Sequence, residues 1–273
     1  VNSDLLKFLL NHSSSFTVQR KEELNYFQRF VLTILNLDLS KPITFLNKSY
    51  KGLTTKEEVQ ASYQKQDEVK ETLKKEETNE NPTIYLYNTH QTENYKATSF
   101  LEYSISPNVM MSSFILKEQL MKKGYQVIVE EEDIATVRKS LGLNYAGSYK
   151  ASRTLMEKAK NTYPSLTYFI DLHRDSVLYD KTTLQVDDVT YAKILFIVGL
   201  ENPNYQANLE LTNKINNLLE EKIKGISRGI YKKSGDGVDG VYNQDFSPNT
   251  ILVEMGGPDN TIDEVYRSTI LLA

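Results

Sequence analysis

Hydrophobic and polar positions divide this chain near residue 82. Before it, Leu5, Leu6, Leu9 and Leu10 make one apolar stripe, and Leu24, Phe27, Phe30, Val31, Ile34 and Leu35 make a second. Both follow the spacing of an amphipathic helix. From Thr54 to Asn81 charged and amide side chains dominate, as in a solvated helix or linker. The reading is a helical N-terminal region and polar linker over 1–81 and a separate domain over 82–273.

Beyond Pro82 the period changes. Ile84–Tyr87 is a short β-prone run that ends on polar Asn88, Thr89 and His90. Asn108–Lys123 predicts an amphipathic helix stopped by Gly124, and Tyr125–Val129 the next strand. A helix follows over Tyr149–Asn161, then a strand over Leu166–Leu172 that leads into His173. Ala192–Leu200 reads as a buried strand, Tyr205–Lys224 as a long helix, Thr250–Glu254 as a strand and Thr261–Leu272 as a closing helix. Strands that alternate with helices predict an α/β domain: a twisted, mostly parallel sheet with helices on both faces. Ligand sites in such sheets lie beyond the carboxyl ends of the strands.

Composition then removes several chemistries. With no cysteine among 273 residues, a thiol nucleophile, a cysteine metal site and a disulfide framework are excluded. Any metal must be held by histidines and carboxylates. The absence of cysteine also fits a location outside the reducing cytoplasm. A formal net charge of -4 offers no basic field for nucleic acid. No stretch approaches the roughly 20 apolar residues that span a bilayer. The chain starts at Val1, and an anchoring segment is expected upstream of it.

Two of the three histidines, His90 and His173, directly follow strand-like runs, so both should emerge on one edge of a parallel sheet. Glu93 lies one turn beyond His90 and can reach the same ion. His-x-x-Glu with a distant histidine is the donor set of a catalytic zinc whose fourth position is open. Glu254 ends the apolar run Ile251-Leu252-Val253. A carboxylate buried there costs several kcal/mol unless it is paired or used, and the use that fits is a general base. Taken alone, Glu254 would read as pairing with an arginine or capping the Thr261 helix; alongside the two histidines, the catalytic reading is favoured.

Arg174 is a candidate for a substrate carboxylate or an oxyanion, and Asp175 and Asp171 for orienting an imidazole. Arg153 is a lesser candidate for the arginine's part, and Arg174 with Asp175 also reads as a surface ion pair. His12, far from every other candidate ligand, reads as surface. The tyrosines, among them Tyr85, Tyr87, Tyr95, Tyr145, Tyr149 and Tyr242, read as packing rather than as a sugar-binding groove. Gly235-Asp236-Gly237 reads as a tight connection rather than a calcium loop.

Three stretches together carry a family likeness. They are Ile84-Tyr85-Leu86-Tyr87-Asn88-Thr89-His90-Gln91-Thr92-Glu93, Phe169-Ile170-Asp171-Leu172-His173-Arg174-Asp175, and Asn243–Asn249 leading into Leu252-Val253-Glu254-Met255-Gly256-Gly257. In this order they resemble the stage II sporulation protein P family, from about Thr83 to Ala273. The resemblance implies a zinc-dependent N-acetylmuramoyl-L-alanine amidase with added endopeptidase activity on peptidoglycan crosslinks, active in forespore engulfment. It implies an upstream membrane anchor, a location between the mother-cell and forespore membranes, and work alongside stage II sporulation proteins D and M. By position, His90 and His173 match the family's essential histidines and Glu254 its general base.

One departure stands out. The family often shows His-Thr-His where this chain has Asn88-Thr89-His90, so His90 is the ligand expected here. In the wider amidase superfamily a glutamate that begins the first helix binds the metal, and Asn108 occupies roughly that place. That leaves Glu93 as the expected third ligand. Two rivals remain for the bare residues: a zinc carboxypeptidase-like peptidase, and a catalytically inactive peptidoglycan-binding scaffold.

Overall fold

The computed structural model describes residues 81–100 and 103–273, within a compact unit that spans Asn79–Ala273. The N-terminal stripes, the polar linker and His12 lie outside the described residues. Pro82 leads into strand β1 (Ile84–Tyr87), which is wholly buried. A small hairpin, β2 (Thr98–Phe100) and β3 (Tyr103–Ile105), precedes helix α1 (Val109–Lys122). Asn108 begins that helix by accepting the Met110 N–H on its side chain, which satisfies a donor the first turn leaves free. Gly124, at φ 89°, ends it in a left-handed conformation that costs glycine little.

Strand β4 (Val127–Val129) and helix α2 (Ile134–Ser140) follow. Next come the 3-10 turn Tyr145–Gly147, helix α3 (Ser148–Thr162) and strand β5 (Tyr168–His173). A one-turn helix α4 (Tyr179–Thr182) and the hairpin β6 (Thr183–Val186) and β7 (Val189–Ala192) lead into β8 (Ile194–Gly199). Helix α5 (Tyr205–Lys222), strand β9 (Ser227–Lys233), strand β10 (Thr250–Met255) and helix α6 (Ile262–Leu272) complete the chain. Thr261 and Glu264 close the start of α6 as a capping box. No helix among the described residues is long and apolar enough to cross a membrane.

The six-stranded sheet has the order β4-β1-β5-β10-β8-β9. All neighbours are parallel except β10 and β8, so the expected mostly parallel α/β sheet is what forms. The reversal has a cause in the connection. A parallel return needs a crossover of a dozen or more residues, usually a helix. Between β5 and β8 there is only α4 and a hairpin, pinned to the carboxyl edge by Asp175 N–H to Gly256 O and Gly256 N–H to Lys193 O. The chain therefore re-enters the sheet from the edge it has just left.

One face carries Tyr85, Tyr87 and Phe169 against Met156 and Ala159 of α3. Further along the same face, Leu195, Ile197 and Leu252 pack under Tyr242, with Tyr149 against them. Helices α1, α5 and α6 cover the other face. Phe169 is 1% exposed, and its truncation to alanine would cost about 3–5 kcal/mol. The sheet edge above it is thereby held rigidly, and that edge carries the polar residues described next.

Candidate metal centre

Residues 88–95 leave β1 as a tight turn in which the Glu93 N–H donates to the His90 carbonyl. That bond places both side chains on one side of the turn. On β5, side chains alternate, so Asp171 and His173 share the face of Tyr87 while Leu172 points into the opposite core. His90, Glu93 and His173 converge with their ligand atoms within 4.8 Å of one another, and among the described residues this is the one group of three His and carboxylate side chains that could hold a metal. His90 Nδ1 lies 3.5 Å from Glu93 Oε1, and His173 Nδ1 lies 3.4 Å from Glu93 Oε2. Two ligands at about 2.0–2.2 Å from a tetrahedral ion stand about 3.3–3.6 Å apart, so spacing and donor types both fit zinc.

A supporting layer orients these ligands. Asp171 is fully buried and places Oδ1 3.0 Å from His173 Nε2, in contact but out of line for a full hydrogen bond. With Nε2 turned to Asp171, Nδ1 faces the cluster. Asp171 is itself fixed by the Thr89 N–H at 2.9 Å and the Thr89 hydroxyl at 2.7 Å. The His90 ring stacks on Tyr145 with centroids 5.2 Å apart and meets Tyr149 edge-on at 5.6 Å. Arg138 lies over the same Tyr145 ring, 5.2 Å from its centroid.

Electrostatics follow from this crowding. Burial would raise the Glu93 carboxyl, but hydrogen bonds from His173 and His90, the His173 charge and the Arg174 N–H bring it down to about 2. Burial would lower the His173 imidazole, yet Asp171 and Glu93 hold it well above its ordinary value. Glu93 thus stays an anion, which a cation site requires.

Glu254 is the register partner of His173 on β10. Its Oε2 is sealed from solvent without a hydrogen-bond partner. Burial, joined by the charges of Glu93 and Asp175, outweighs the pull of His173 and Lys233 and lifts its carboxyl to about 7. An unpaired carboxylate so poised, beside a cluster that fits a cation, suits a general base near neutral pH.

The remaining candidates separate. Arg174 donates its N–H to Glu93 Oε2 at 2.9 Å and its guanidinium to the carbonyls of Asn94 and Asp175, which braces the turn carrying Glu93. Arg153 is drawn elsewhere, to Glu157 and Asp245. Asn88 is buried and bonded to Leu172 O, Val109 O and Ser113, so it ties β5 to α1 and takes no part in the cluster. Asn108 is spent on capping α1. Gly235 donates its N–H to Glu201, in keeping with a connection.

Comparison with known proteins bears on this geometry. The family model described as Stage II sporulation protein P (SpoIIP) matches residues 8–273. The chain belongs to the stage II sporulation protein P family. Stage II sporulation protein P of Bacillus subtilis (strain 168) is 31% identical over 219 residues, which cover 77% of this chain and 54% of that protein. The chain thus spans about half the length of that curated relative. Among solved structures, the CwlD amidase of Clostridioides difficile, in complex with the GerS lipoprotein, overlaps at a TM-score of 0.44 and 17% identity over 70% of this chain and 93% of that one. Cwp6 from Clostridium difficile overlaps at 0.41 and 13% over 70% and 28%.

In this member of the stage II sporulation protein P family, the sequence read Tyr145 and Tyr149 as packing and did not single out Arg228. Tyr85, Tyr87 and Tyr95 are buried packing as expected, but Tyr145 is 60% exposed beside His90. It lies in a 3-10 turn with no periodicity to mark it. Tyr242 and Asn243 adopt φ near 55°, a strained conformation for non-glycine residues. Asn243 there donates to Tyr149 O and Ser152 Oγ, which locks the start of α3 against the histidines.

Proposed function

We propose that this chain is a zinc-dependent peptidoglycan hydrolase that cleaves the amide between N-acetylmuramic acid and L-alanine, with a second cleavage inside crosslinked stem peptides. The observation that carries the reading is the convergence of His90, Glu93 and His173 with the unpartnered Glu254 carboxylate beside them. Family membership supports peptidoglycan as the substrate and sporulation as the setting. We extend the proposal to forespore engulfment, an upstream anchor in the cytoplasmic membrane, a location between the mother-cell and forespore membranes, and stage II sporulation proteins D and M as partners.

His90, Glu93 and His173 would hold the zinc. Bound there, the ion would polarise the scissile carbonyl and make water a nucleophile near neutral pH. Glu254 takes the proton of the attacking water at its carboxylate and returns it to the departing alanine nitrogen. Asp171 keeps the His173 ring oriented through the attack, and Arg174 keeps Glu93 in place.

Digestion of purified peptidoglycan tests this. Mass spectrometry should find stem peptides with a free alanine amino terminus, lost with a chelator and restored by zinc. Full activity in excess chelator would overturn the metal reading, release of single C-terminal amino acids would reassign the site to a carboxypeptidase-like enzyme, and no products under any condition would favour a binding scaffold.

A further inference from the structure

Strand β9 enters the sheet at the edge where β5 and β10 end, because β8 and β9 run against them. Its pairing with β8 slips by one residue: Ile194 faces Ser227, while Phe196 faces Ile230. Gly229 absorbs the extra residue at φ 89°. A bulge of this kind re-aims the side chain beside it. Ser227 points to the far face, where it bonds Asn216 of α5. Arg228 is turned to the near face, where its Nη1 meets Asp175 Oδ2 at 2.6 Å.

Asp175 ends the segment that begins at His173, and its charge is felt at Glu254. The Arg228 guanidinium is therefore tied to the segment that leaves His173 at the carboxyl edge of the sheet. Further along the same strand, Tyr231 is the register partner of Ile197 and Lys233 that of Gly199, which puts both on the face of the metal cluster. Tyr231 is 51% exposed.

Glu93, Asp171, Asp175 and Glu254 surround the reaction centre, so a ligand bearing carboxylates needs cations to approach. Arg174 has its guanidinium turned to two backbone carbonyls. The bond to Asp175 engages Nη1 of Arg228, and a guanidinium can match a further carboxylate in two parallel bonds.

We infer that Arg228, beside the Gly229 bulge and held by Asp175, is a specificity residue that receives a free carboxylate on the peptide side of the substrate. The identity of the peptide rests on the hydrolase reading above. The geometry of the receptor does not.

The test compares two probes: a muramoyl tripeptide with its glutamyl α-carboxylate free, and the same compound with that carboxylate amidated. Calorimetric Kd values and hydrolysis rates are measured for zinc-loaded wild type, Arg228→Gln and Arg228→Lys. Wild type should bind the free acid about 10–100-fold more tightly than the amide, the value of a charge-assisted pair. Arg228→Gln should erase the preference through KM and leave kcat on the amidated probe unchanged, while Arg228→Lys should restore part of it. Equal binding of the two probes by wild type would overturn the inference, as would an equal loss on both in Arg228→Gln. Selective binding without hydrolysis would sink the hydrolase reading and leave the receptor standing. Hydrolysis without selectivity would do the reverse.

Discussion

Glu254 and His173 face each other across neighbouring parallel strands, one carboxylate and one imidazole at the same level of the sheet. The register holds Glu254 beside the metal cluster while leaving its Oε2 with no protein partner. A residue so placed is poor for stability and good for proton transfer. Glu254→Gln should lower turnover by about 10²–10⁴-fold, the range lost with a general base, and metal content by elemental analysis should be unchanged.

The same substitution should stabilise the metal-free protein. A carboxyl raised from 4.5 to about 7 favours folding while protonated. That contribution is full below about 4.5 and is lost as pH rises through about 7. Glutamine stays neutral, so at pH 8 Glu254→Gln should gain on the order of 2 kcal/mol over wild type. At pH 4 the gain should vanish. Urea melts at the two pH values check both.

Glu93 works in the opposite sense. Its carboxyl is depressed to about 2, so its contribution is present above about 4.5 and is lost as pH falls toward 2. In the metal-free protein Glu93→Gln should therefore destabilise most at neutral pH, and the difference from wild type should close in acid.

Activity should rise with pH along an acid limb set by Glu254. In kcat/KM that limb should lie at or below about 7, because a cation on His90, Glu93 and His173 favours the ionised base. A pH profile with no acid limb between pH 4 and 7.5 would remove Glu254 from the role.

Asp171→Asn keeps the shape but removes the charge beside His173 Nε2. Zinc affinity, read by competition with a chromogenic chelator, should fall about 10–100-fold. His173→Ala should lose the metal altogether. Tyr145→Ala strips the face from His90 and should weaken zinc by a smaller factor, which Tyr145→Phe should restore.

The sequence exposes the centre of this site and hides its walls, for reasons that can be located. His90 and His173 stand out because each terminates a short apolar run, and a parallel sheet brings such ends together. Glu254 stands out because a carboxylate following Ile251-Leu252-Val253 has no ordinary business there. Tyr145 sits in a 3-10 turn with no repeating spacing, so nothing marks it as the platform of a histidine. Arg228 sits beside a one-residue slip in pairing with β8, which breaks the alternation of the strand, so hydrophobic pattern alone does not assign its face. The direction of β8 depends on a connection that never leaves the sheet edge, a fact about hydrogen bonds at Lys193 and Gly256 rather than about hydrophobic pattern. Asn88 shows the converse: it looks like a lost ligand in the sequence and is a structural tie in the fold.

The reversal of β8 and β9 gives the working edge two independent halves. Beneath the cluster, strands arrive with their final residues, and any change in length or alternation there would displace a ligand. On the far side, strands depart with their first residues, and the slip at Gly229 can lengthen, vanish or carry a different side chain without moving His90, His173 or Glu254. On the reading proposed above, selection can therefore retune which peptide is accepted while the residues assigned to bond breaking stay fixed.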